Sequence, residues 1–227
     1  MRITRLTLAL SFVVLAVALV PAQTPQATAG AASQVAGQRA GGPPPQTPAP
    51  GGQRGGGRGR GAVQIMTLTA PWAPGAEIPL KYTQAGDEIS PALSWDNPPD
   101  GTASFVLVVH DVSAPAGQGI DDVLHWMVWN IPAAARSLPE GVPQGPLLAD
   151  GSRQISVTGP NYRGPAAPAS GPPHVYVFEL YALDAMLDVP ALGPAGATVP
   201  QTRAAVVAAM AGHVRGKAVT SGVFRRT

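Results

Sequence analysis

The chain is 227 residues long, carries a formal net charge of +2, and has no cysteine. The missing cysteine excludes disulfides, thiol nucleophiles, thiolate metal sites and a lipid-modified cysteine, so any folded part must rest on its own apolar core. The small positive excess lies largely in Arg54, Arg58 and Arg60 of a glycine-rich tract, which reads as a solvated segment and gives no basis for specific nucleic-acid binding.

In chain order, Met1–Arg5 supplies two arginines ahead of an apolar run from Leu6 to Val20. That run is about 15 residues long, too short for a spanning helix, which needs about 20. With Val20 and Ala22 as small residues at −3 and −1, residues 1–22 read as a signal peptide cleaved after Ala22, so the protein is expected to be exported, periplasmic or secreted. Residues 23–61 are Ala, Gln, Gly, Pro and Arg, a composition that buries too little apolar surface to offset ordering entropy and predicts a disordered spacer. From residue 62 onward aromatic and branched side chains recur, and 62–227 is the expected folded domain.

Within it, Val63–Ala70 and Glu77–Tyr82 read as strands between Gly/Pro breaks. Ser104–His110 is a continuous apolar run that predicts a strand covered on both faces. Leu124–Ile131 and His174–Leu183 are further strands, separated by the Asn97–Gly101 turn and a long Gly/Pro-rich loop at Gly159–Pro173. One helix is predicted after Thr198, with Gln201 completing a capping box and Val199, Val206, Met210 and His213 on one face, stopped by Gly212 or Gly216. Lys217–Phe224 returns as a last strand. The expected fold is all-β dominated, a β-sandwich of two sheets with one or two peripheral helices.

The chemistry-bearing residues gather at strand ends. Period-two alternation puts His174, Tyr176 and Phe178 on one face of their strand, and His125, Met127 and Trp129 on one face of theirs. Asp111 closes the Ser104–His110 strand, so Asp111, His125, His174 and Tyr176 are candidates to meet on one rim. Imidazoles and a phenol there donate hydrogen bonds to a phosphate, sulfate or carboxylate, and an aspartate fixes an imidazole's tautomer. No cofactor is expected. Neither a His-Glu-x-x-His zinc motif, a Gly-x-Ser-x-Gly elbow nor a glycine-rich nucleotide fingerprint occurs, so a non-enzymatic binding role is expected, with a His/Asp-dependent hydrolase or a metal site of Asp111, His125 and His174 as the lesser alternative.

Ser90–Trp95, the run from Ser104-Phe105 to Asp111-Val112-Ser113-Ala114-Pro115, His125-Trp126, and the Gly159–Pro173 loop leading into His174-Val175-Tyr176-Val177-Phe178 form an ordered set. With it the chain resembles the phosphatidylethanolamine-binding protein family, in its bacterial Raf-kinase-inhibitor-like branch, from about residue 63 to the C-terminus. The resemblance implies a two-sheet β-sandwich with an anion pocket lined by Asp111, His125, His174 and Tyr176, and Pro168 near its mouth. The partners it implies are a small anionic ligand or a phospholipid headgroup, a protease or other protein met through the Gly159–Pro173 loop, and a second copy of the chain in a homodimer. Two stretches depart from the family pattern: Asp-Pro-Asp-Ala-Pro is Asp111-Val112-Ser113-Ala114-Pro115 here, and the usual Arg between His and Tyr is Val175.

Overall fold

The computed structural model describes residues 62–227 apart from 117–120 and 194; the expected signal peptide and spacer, 1–22 and 23–61, lie outside the described residues. Among the described residues the chain forms β1 (Gln64–Ile65), β2 (Thr67–Thr69), a 3-10 turn (Leu80–Tyr82), β3 (Leu93–Asp96), β4 (Ser104–Pro115), β5 (Asp122–Pro132), β6 (Ser137–Leu138), β7 (Arg153–Ile155), β8 (His174–Leu183), α1 (Val199–Met210) and β9 (Val214–Phe224). A six-stranded sheet runs β1-β9-β8-β4-β5-β7 and a three-stranded sheet runs β2-β3-β6. The fold of these residues is thus strand-dominated, with two sheets and a single α-helix.

Two expected strands are corrected. Val63–Ala70 is not one strand: β1 pairs parallel with β9, whereas β2 pairs antiparallel with β3, and Met66 between them gives its backbone N–H to the Lys217 carbonyl at 2.9 Å. The segment therefore changes sheets at Met66. Glu77–Tyr82 makes only an isolated bridge from Glu77 to Val223 before turning into the 3-10 element. Pro79, lacking an N–H and with φ fixed near −55°, starts that turn.

Strand β4 is buried on both sides, as its uninterrupted apolar run requires. Phe105, Leu107 and Val109 meet Leu68, Leu93, Trp95 and Leu138 of the smaller sheet to form the sandwich core. Val106 and Val108 face the other way, joining Met127, Trp129, Val206 and Met210 in a second core beneath α1. The helix begins on a complete capping box. The Gln201 side chain accepts from the Thr198 backbone N–H at 2.8 Å, and the Thr198 hydroxyl accepts from the Gln201 N–H. It ends before Gly212, whose φ of +83° is the left-handed conformation that stops a helix. Thr198→Ala should cost about 1 kcal/mol, read as a lower urea midpoint at unchanged slope. His213 is not on the helical face; it lies past the helix end, exposed, with its Nδ1 2.8 Å from Asp184.

Candidate ligand-binding site

Adjacent strands build the floor of the site. Asp111 on β4 lies directly across from Tyr176 on β8, so both side chains take the sandwich side of the large sheet. His174, two residues before Tyr176, shares that side, and its Nδ1 meets Asp111 Oδ2 at 2.7 Å. The other carboxylate oxygen, Oδ1, accepts from the Ser113 N–H at 2.9 Å. The Ser113 hydroxyl in turn accepts from the Val175 N–H at 2.9 Å. The Asp111–Pro115 stretch and Val175 are therefore bonded to each other, and they brace the Asp111–His174 pair.

His125 reaches the same place by a different route. On β4, Val109 and His110 are neighbours, but their β5 partners are Trp126 and Leu124, so His125 is the extra residue of a β-bulge. The bulge breaks the two-residue alternation. His125 therefore does not share a face with Met127 and Trp129, which lie in the core beneath the helix. Instead its ring stands edge-on to Tyr176, centroids 5.0 Å apart and planes at 89°. Leu124 and Met127 point one way while His125 and Trp126 point the other.

The Gly159–Pro173 loop closes over this floor. The Arg163 N–H bonds the His125 carbonyl at 2.9 Å, and the His125 Nδ1 donates to the Arg163 carbonyl at 2.8 Å. The Ala166 N–H donates to the Tyr176 hydroxyl at 3.2 Å. The loop is not exposed throughout: Tyr162, Gly164, Pro165 and Ala167 are buried, and the continuously exposed stretch runs from Pro168 to Pro173. Asp111, His125, Pro168, His174 and Tyr176 all line one open cleft of about 430 Å³, joined by Gln84, Thr158 and Arg163. His110 is not among them. It faces the helix side of the sheet, paired with Asp122 through Nδ1 and 3.6 Å from Glu179 through Nε2.

Sequence reasoning passed over Arg163, among the described residues the one with a fixed positive charge lining the cleft. Its guanidinium is held by Glu88 at 3.1 Å and by Gln84 at 2.6 Å. The available signal was that Arg163 is the single charged residue of the loop.

Burial lowers the pKa of His125, against the raising effects of the Arg163 carbonyl bond and the Asp111 charge, so the ring is neutral near neutral pH. Burial also raises the Tyr176 phenol to about 12; the Ala166 N–H opposes that rise and the Asp111 charge adds to it, so the hydroxyl keeps its proton. Because a carbonyl only accepts, the His125 proton sits on Nδ1 and Nε2 carries a lone pair. Among the described residues no three His, Asp or Glu side chains are disposed to hold a metal ion.

Comparison with known proteins places the fold. The family model described as phosphatidylethanolamine-binding protein matches residues 69–225. A UPF0098 protein of Methanothermobacter thermautotrophicus is 40% identical over 151 residues, 66% of this chain and 91% of that protein. LppC of Mycobacterium tuberculosis, named provisionally as a lipoprotein, is 34% identical over 158 residues, 68% of this chain and 71% of that protein. Among solved structures, the Chlamydia trachomatis phosphatidylethanolamine-binding protein homologue CT736 superposes with a TM-score of 0.59 at 29% identity, covering 73% of this chain and 100% of that one. The sandwich, the match over most of the folded residues and these relatives together make the chain a member of the phosphatidylethanolamine-binding protein family.

Proposed function

We propose that the chain is an exported, non-enzymatic binding protein whose cleft holds a small phosphate-bearing anion, of the kind found free or in a phospholipid headgroup. One observation carries the reading: Asp111, His125, His174 and Tyr176 converge in a single open cleft, with the His174–Asp111 bond at 2.7 Å orienting one imidazole and Arg163 supplying positive charge beside it. Such a set positions hydrogen-bonding groups around a tetrahedral anion, and bonds to a charged partner are the stronger kind.

Titration calorimetry of the full chain at pH 6.5 with inorganic phosphate and phosphoethanolamine, beside His125→Ala/His174→Ala, tests the reading. Saturable binding is expected, weakened roughly tenfold or more in the double variant, since losing one charge-assisted bond costs about 1.5–3 kcal/mol. Unchanged affinity in the variant, or no saturable heat in the parent, rejects it.

Export is supported by the Met1–Ala22 pattern and by the relative named as a lipoprotein, although this chain has no cysteine to carry a lipid. N-terminal sequencing of the protein recovered outside the cytoplasm should begin at Gln23. The exposed Pro168–Pro173 stretch at the cleft mouth is the surface a protease or other protein partner would meet. Proteases left uninhibited by the full chain remove that second reading.

A further inference from the structure

We infer that the groove between α1 and the β4–β5 hairpin, on the helix side of the large sheet, is a second binding site, which takes a small apolar molecule bearing one positive charge. It is separate from the anion cleft and does not depend on it: Val157 is the one described residue that lines both.

The groove has a volume of about 490 Å³, within the range of about 300–1,000 Å³ usual for small-molecule sites. One wall is α1. Thr202, Val206 and Met210 turn inward and are buried, while the neighbouring row of Val199, Arg203 and Val207 borders the groove together with Pro200 and Ala204. A helix covered on one face carries polar and charged residues on the others. α1 does not. Arg203 is its single charged residue, and Pro200, Ala204 and Val207 are exposed, the last by 53%. The facing wall is apolar as well. Leu124 is buried there, and Val157, 46% exposed, stands beside it with its N–H on the Leu124 carbonyl at 3.1 Å.

Charge decides what the groove takes. Its ionisable lining groups are Asp121, Asp122 and Arg203, two carboxylates to one guanidinium. Arg203 is committed to Asp122, giving one N–H to that residue's carbonyl at 3.0 Å and another to its Oδ1 at 2.6 Å. The other carboxylate oxygen of Asp122, Oδ2, is paired with His110. Asp121 is exposed and, among the described residues, belongs to no ion pair. The unmatched charge is thus negative, and it borders an apolar surface of ligand size. An alkylammonium matches both features. Its chain covers Val157, Val199 and Val207, its ammonium donates to Asp121, and the Asp122–Arg203 pair stays intact. A carboxylate of the same length meets a guanidinium already paired and an aspartate that repels it.

Amide NMR of the full chain at pH 7, titrated with octylamine, octanol and octanoate, is the test. Octylamine is expected to move the amides of Leu124, Val157, Arg203 and Val207 saturably. Its affinity should lie roughly fivefold above that of octanol and at least about tenfold above that of octanoate, the scale of one partly exposed ion pair gained or opposed. Asp121→Asn, a change at an exposed side chain, should bring octylamine and octanol within about twofold of each other. Val207→Lys, also at an exposed position, should weaken octylamine at least about tenfold by taking up the groove and repelling the ammonium. No saturable shift at these amides with any of the three compounds overturns the site. Octanol or octanoate bound as tightly as octylamine, or a preference for octylamine that survives Asp121→Asn, overturns the choice of a cation. Shifts at the same amides that grow with protein concentration alone and vanish in Val207→Lys assign the groove to a second copy of the chain, and overturn it as a small-molecule site.

Discussion

Trp126→Ala is expected to remove about 4–8 kcal/mol of unfolding free energy, a large share of the roughly 5–15 kcal/mol by which folded domains are usually stable. The side chain is 0% exposed, stands edge-on to Tyr162 with centroids 5.5 Å apart, and donates its indole N–H to Gln154 Oε1 at 2.8 Å. Truncating a buried aromatic costs about 3–5 kcal/mol through lost burial and the cavity left behind. The rest comes from Gln154. That side chain is itself fully buried, and its amide is fixed on the carbonyls of Pro143 and Gly145 at 2.7 and 2.9 Å, so it cannot turn to find a new donor. Leaving its Oε1 unpaired adds about 1–3 kcal/mol. Urea unfolding followed by tryptophan fluorescence or circular dichroism measures the loss; a value below about 2 kcal/mol would mean that Tyr162 and its neighbours collapse into the space.

Gly164→Ala should damage both stability and binding. A Cβ at Gly164 falls 2.7 Å from the Tyr82 carbonyl oxygen, 3.0 Å from the Thr83 carbonyl carbon and 3.1 Å from the Gln84 nitrogen. All three are backbone atoms, so no side chain can swing aside, and overpacking of this kind costs about 1–3 kcal/mol. The shift this forces is centred on the residue after Arg163, whose carbonyl fixes the His125 tautomer and whose guanidinium lines the cleft. Phosphate affinity should therefore drop by roughly tenfold or more even at temperatures where the variant remains folded, the effect of losing one charge-assisted bond. Calorimetry beside a thermal melt separates the two effects. A Gly164→Ala variant that melts lower yet binds phosphate normally would show that the loop does not position the cleft.

The regular parts of this molecule were readable in advance, and the irregular parts were not. Strand β8 keeps its alternation from His174 to Leu183, so placing His174 beside Tyr176 needed only the two-residue period. The double-sided burial of β4 was written in its unbroken apolar run. His125 was put on the wrong face because a bulge is a property of two strands: nothing in Leu124-His125-Trp126-Met127 announces that one residue lacks a partner. Strands β3, β6 and β7, of four, two and three residues, are too short to show a period and went unassigned. The setting of Arg163 depended on Gln84 and Glu88, residues 79 and 75 positions away, a convergence that only the folded chain creates.

The change of sheets at Met66 bears on how the domain responds to tension. β1 runs parallel to β9, and the pairs Gln64↔Gly216 and Ile65↔Lys217 join the first strand of the domain to its last. A pull between residue 64 and residue 224 slides these two strands past each other along their length, so the hydrogen bonds between them are loaded together in shear and not peeled apart one at a time. The same pull reaches β2, held to β3 in the other sheet, only after β1 has let go. The β1–β9 pair at the edge of the large sheet thus acts as a mechanical clasp on the N-terminal end of the fold.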